Sequence, residues 1–196
     1  MIELIYQMQI PPFTFSSFQS LRPKQAKEIF QWYVNDIPAR LEQLQKYLDE
    51  ETGGEIQLTK KPETLGPLWN WFSNTIETRK RSESELQEEL KAVPNWLHST
   101  VIANDEKLTF ESLAVGMDIA IYFAEVFISN HTDVYWGYFV RPKSRVSVNE
   151  PVLLGFAHGM DLNPRRIVDT VMWQYVQKKS NDGLLEAYQV WEKFLK

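Results

Sequence analysis

Leu113 to Ile128 reads LAVGMDIAIYFAEVFI, and on a 3.6-residue wheel its apolar side chains fall on nearly every side. A helix of that kind has to be covered on most faces by the rest of the chain. Only Asp118 and Glu125 carry charge within it. A bilayer span needs roughly 20 apolar residues and rarely holds two carboxylates, so the stretch predicts the central buried helix of a soluble fold. Thr109 is a candidate N-cap, although Ser112 stands where a capping box would place Glu or Gln. The polar run from Ser129 to Asp133 predicts the end of the helix near Asn130.

The chain that follows alternates between strand and turn signals. Asp133 to Val140 (DVYWGYFV) puts β-branched and aromatic residues on both faces, as in a strand covered on both sides. Arg141 to Ser144 reads as a turn, and Arg145 to Val148 as a half-exposed strand. Pro151 opens a third apolar run, PVLLGF. A helix followed by two or three antiparallel strands is the expected central unit.

The flanks are helical. Met1 to Ile10 alternates loosely and is read as an edge strand, ended by Pro11 and Pro12. A long helix starts at Arg22-Pro23, carries Ile29, Phe30, Tyr33, Ile37, Leu41, Leu44 and Leu48 on its stripe, and meets Pro38 as a kink or break. Thr52-Gly53-Gly54 stops it, and Glu55 to Thr59 is strand or loop. A second aromatic helix is expected from about Glu63 to Arg81. Its segment Leu68 to Arg79 echoes Ile29 to Arg40 at four identical positions: Trp32 with Trp71, Asn35 with Asn74, Ile37 with Ile76, and Arg40 with Arg79. Two amphipathic helices with similar demands explain the echo better than a duplication does.

Ser82 or Ser84 caps an acidic helix that ends near Pro94. Asn163, with Pro164 in the first turn, starts a helix bearing Ile167, Val168, Val171, Met172, Tyr175 and Val176. A last helix carries Leu184, Tyr188, Trp191 and Leu195. These parts describe one α+β domain over 1–196, mainly α, with several amphipathic helices around a central apolar helix and a small antiparallel sheet. Its segments are a helical N-terminal part at about 20–100, the helix and sheet at about 109–156, and two C-terminal helices at about 163–195.

Composition narrows the function classes. A hydrophobic share of 43% with seven tryptophans supplies a real core, so the chain is not a disordered one. A formal charge of −5 disfavours nucleic-acid binding, which needs a basic stripe. With no cysteine there is no disulfide, thiol catalysis or thiolate metal site. The first twelve residues lack a basic leader and a cleavage site, which points to a cytoplasmic location and no membrane association.

No motif for catalysis, metal or nucleotide stands out. His98, His131 and His158 have no mutual ligand spacing, so neither a metal nor a cofactor is expected. His158 with Asp161 fits a base and its orienting carboxylate, and fits a turn before a capped helix better. Asp118, Tyr122, Glu125 and Ser129 share one side of the central helix. Asp118, Tyr122 and Glu125 are the candidates for an acid/base pocket. The plainer expectation is that the carboxylates pair with Arg40, Arg79 or Arg141. Arg79-Lys80-Arg81 reads as a helix end complementing its dipole. On the surface, Glu83, Glu85, Glu88 and Glu89, with Asp49, Glu50 and Glu51 nearby in type, are the candidate contacts for a basic protein partner.

Gly116, Ala120, Tyr122 and Glu125 on the helix, Trp136 in the strand, Asn149 to Phe156 (NEPVLLGF), and Asn163-Pro164 form a pattern. It resembles small uncharacterised bacterial proteins, some of them associated with toxin–immunity systems, over about 55 residues. The resemblance implies an α+β domain that works by binding another protein, and it carries no catalytic residue across. Three readings are open at this stage. One is a protein-binding chain of immunity or inhibitor type. The second is a small enzyme at Asp118, Tyr122 and Glu125, which requires a concave pocket and a carboxylate with a raised pKa. The third is a scaffold that self-associates through its aromatic helices.

Overall fold

The computed structural model describes residues 6–178 and 183–195. The fold is mainly helical α+β, with two small antiparallel sheets of two strands each among the described residues. In chain order the elements are α1 (Pro23–Thr52), α2 (Leu65–Ser73), β1 (Thr78–Lys80), α3 (Glu83–Ala92), α4 (His98–Ala103), β2 (Glu106–Leu108), α5 (Phe110–Asn130), β3 (Tyr135–Gly137), β4 (Val152–Leu154), α6 (Pro164–Val176) and α7 (Leu184–Glu192).

The apolar stretch is the core. Helix α5 buries Ala114, Val115, Ile119 to Ala124, Val126 and Phe127, and α1, α6 and α7 pack on it. By length and hydropathy it could cross a membrane, yet most of its apolar window is covered by the rest of the protein. Thr109 caps it, accepting a hydrogen bond from the Ser112 amide at 3.3 Å, and it ends at Asn130. Helix α6 crosses closely because Gly116 has no side chain: a Cβ there would lie 2.8 Å from Met172 Sδ. A smaller satellite core gathers Leu21, Ala26 and Ile29, with Phe13, Phe15, Phe18 and Trp32 packed against it.

Helix α1 runs unbroken through Pro38 for 30 residues and stops at Gly53, whose φ of 64° is the left-handed conformation that ends helices. Ser82 and Glu85 form a capping box at the start of α3. Asn163 caps α6, with Pro164 in its first turn.

The sheets differ from the expectation in several respects. Strand β3 is only three residues long and Tyr135 faces solvent, so Asp133–Val140 is not a strand covered on both sides. It pairs with β4, Trp136 opposite Leu153. Arg145–Val148 forms turns rather than a strand, because the Arg145 and Val148 amides bond back to the Pro142 and Arg145 carbonyls, and only Val148 makes a bridge, to Phe139. A second pair, β1 with β2, was not anticipated. The helix expected at Glu63–Arg81 ends at Ser73, and its last residues form β1. The predicted edge strand falls partly on residues 1–5, outside the described residues; residues 6–10 and Glu55–Thr59 are irregular.

Candidate functional site

The three residues singled out on the central helix all have protein partners, and Tyr122 and Glu125 share Lys60. Asp118 is fully buried and meets Arg40 in a two-point ion pair, Nε to Oδ1 at 2.9 Å and Nη2 to Oδ2 at 2.7 Å. The Tyr6 hydroxyl donates to Asp118 Oδ2, and Arg40 also donates to the Gln7 carbonyl. Burial pushes the Asp118 carboxyl above its ordinary range, opposed by the hydrogen bonds from Arg40 and Tyr6. Tyr122 accepts from the Lys60 amide at 3.1 Å and bonds the Thr64 hydroxyl. Glu125 accepts from Lys60 Nζ at 2.9 Å and from the Trp136 indole at 3.1 Å.

These bonds lock the N-terminal segment, the loop after α1 and strand β3 onto one face of α5. Asp118 has the raised pKa that the acid/base reading requires. None of the five cavities with defined linings has Asp118, Tyr122 or Glu125 in its wall. Of the three candidate arginines, Arg40 takes Asp118, while Glu125 goes to Lys60, a partner that sequence spacing does not single out.

The echoing segments part company in three dimensions. Arg40 is buried on Asp118, whereas Arg79 lies exposed on β1 against Glu85. The histidines stand apart: His98 on the Leu90 carbonyl, His131 on the Tyr188 hydroxyl, His158 in a turn with φ of 56°. Asp161 holds Arg145 and Ser147 rather than His158. Among the described residues, no group of three His, Asp or Glu is placed to hold a metal.

The acidic candidates lie on an arm. From Asn74 to Lys107 no residue is fully buried; α3 and α4 pack on each other, and ion pairs tie α3 to β1 and β2. Glu85 forms a two-point pair with Arg79 and also lies near Lys107; Glu89 meets Lys107 at 2.8 Å and Arg81 at 3.1 Å. The Arg79 hydrogen bond, with the capping bond from Ser82, holds the Glu85 carboxyl far below its usual range. Half of the predicted acidic face is therefore neutralised by the arm's own strands. Glu83 and Glu88 are exposed, and among the described residues Glu83 accepts only from Gln87. The same arm exposes Trp96 (76%) and Ile102 (57%).

One cluster escaped the sequence reading altogether. Glu150 is buried at the start of α6, accepting from Asn163 Nδ2 at 2.6 Å, Arg165 Nη2 at 2.8 Å and Arg166 Nη2 at 2.6 Å. Burial alone would raise its carboxyl; the hydrogen bonds from Arg166 and Arg165 outweigh it and bring the group below its ordinary range. Two cavities, of about 380 and 230 Å³, open on either side of Arg165 and share Met117 as well. The adjacent Arg165-Arg166 pair beside a capping Asn was the available signal, but Glu150 comes from a distant loop. Comparison with protein-family models, with curated proteins and with solved structures found no match for this chain.

Proposed function

We propose that this chain is a cytoplasmic binding protein that acts by contacting another protein through its α3–α4 arm. The observation that carries the reading is Trp96, a large aromatic side chain left 76% exposed on a segment that contributes nothing to the core. Exposed tryptophan is costly to leave in water and is a frequent energetic anchor of interfaces. Ile102 adds apolar area on the same arm, and the exposed carboxylates of Glu83 and Glu88 favour a partner with a basic rim. Such a partner agrees with the immunity-like resemblance and with the overall acidic charge. The face of Asp118, Tyr122 and Glu125 is a packing seam under this reading, because each polar group already has a protein partner.

The test is capture from the host lysate with the tagged wild-type chain, run beside Trp96→Ala/Ile102→Ser and Glu83→Lys/Glu88→Lys. A stoichiometric basic protein held by the wild type, lost with the first variant and weakened by salt and by the second, is the expected result. A wild-type eluate holding this chain alone, or a partner retained equally by both variants, overturns the reading.

A further inference from the structure

The 230 Å³ cavity lies where the satellite core meets the main one, walled by Phe15, Phe18, Trp32, Tyr33 and Met117 and bounded by Arg165. Three polar side chains in its wall keep hydrogen-bonding capacity that the fold does not use, and one of them, Gln9, is buried. Gln9 is 95% buried; its Nε2 donates to Asp36 at 2.9 Å, while its Oε1 has no partner. Arg165, 46% exposed at the mouth of the cavity, spends one Nη on Glu150, and its Nε and other Nη have no partner among the described residues. The Tyr33 hydroxyl is likewise unbonded there, and burial raises its pKa well beyond the ordinary phenol value, so it is a neutral donor. A buried amide oxygen without a donor is costly, and a fold seldom leaves one unmet.

The charges facing the cavity are Glu150 and Arg165. Glu150 is also held by Arg166 and Asn163, so it does not depend on Arg165 alone, and the remaining N–H groups of Arg165 are the donors open to a ligand. A cationic ligand would meet that guanidinium, which already sits 5.1 Å over the Phe18 ring. An anionic group meets a fork of free donors instead. The aromatic walls fit a flat ring, and Gln9 Oε1 fits an N–H or O–H at its edge.

We propose that this cavity is a binding site for a small planar aromatic molecule carrying one carboxylate and one ring N–H or O–H donor. The carboxylate sits on Arg165, the ring lies between Trp32, Phe15 and Met117, and the donor reaches Gln9 Oε1. The neighbouring cavity of about 380 Å³, which shares Met117 and Arg165, leaves room for a substituent beyond the ring. The volume limits the ring itself to one or two fused cycles.

Calorimetric titration with three probes tests each part: indole-3-acetate, indole-3-acetamide and 1-methylindole-3-acetate. Wild type should bind the acid about tenfold or more tightly than the amide, the difference of one charge-assisted contact. It should bind the N-methyl acid more weakly than the parent. Arg165→Gln should erase the acid-over-amide preference alone, and Gln9→Leu the N–H preference alone. Met117→Trp, checked for an unchanged circular dichroism spectrum, fills the space and should abolish binding. Absence of millimolar binding by the wild type, equal affinity for acid and amide, or binding untouched by Met117→Trp overturns the assignment.

Discussion

Arg40 and Asp118, 78 residues apart in the chain, meet as a two-point ion pair inside the protein, with Asp118 wholly shielded from solvent. Helix α1 is thereby fixed in register on α5. Removing one partner of a buried pair leaves the other uncompensated, a loss of about 3–5 kcal/mol. Asp118→Asn and Arg40→Met should each lower stability by about that much in urea unfolding. The triple change Tyr6→Phe, Arg40→Met, Asp118→Leu removes the whole polar group and should recover most of the loss. A triple variant no more stable than the singles would show that the pair contributes net stability.

The Glu150 cluster makes the protein acid-sensitive. Its folded-state pKa is depressed, so the group contributes stability above the unfolded glutamate pKa of about 4.3 and loses it as pH falls through the lower folded value. Midpoints of urea unfolding measured between neutral pH and about pH 3 should fall at the acid end, more steeply in wild type than in Glu150→Gln. Parallel slopes for the two proteins would remove Glu150 as the cause.

Caps on the core and on the arm should behave differently. Thr109→Ala deletes the cap of α5 and should reduce global stability by about 1 kcal/mol. Ser82→Ala deletes the cap of α3, which buries nothing, and should leave the unfolding midpoint of the core in place. Its effect should appear in amide hydrogen exchange, as faster exchange confined to residues 83–92. Equal protection of α3 and α5 in the wild-type protein would contradict this ordering.

Gly155 ends β4 with φ of 110°, and a Cβ there would lie 2.0 Å from the Asp133 carbonyl oxygen. The obstacle is backbone, so Gly155→Ala must separate β3 from β4 and should cost more than about 3 kcal/mol. Gly53 has φ of 64° and open space around it, so Gly53→Ala should cost only about 1 kcal/mol. Thermal unfolding of the two variants side by side makes the comparison.

Elements with a strong local signal were legible in the sequence. The buried helix, the caps Thr109, Ser82 and Asn163, and the stop at Gly53 are decided by side chains within a few residues of one another. What depended on distant partners was not. Residues 74–81 continue an amphipathic pattern, yet they leave the helix because β2, some 25 residues on, offers them a ladder. The Glu150 cluster needed α6 to be brought against the loop before β4, and Gln9 needed α1 beside the N-terminal segment. Arg40 was named among three possible partners for the central carboxylates; Lys60 was not, since its approach to Glu125 follows from the path of an irregular loop.

The register of β1 on β2 places Thr78 opposite Leu108, so the chain leaves the main body and returns to it at adjacent points. Everything between those two residues should therefore be exchangeable as a unit. A short turn could join them without altering how α2 meets α5, and a different sequence of similar span could be grafted in its place. Selection for a new partner could then rewrite the arm residue by residue while the Arg40–Asp118 lock and the rest of the interior stay as they are.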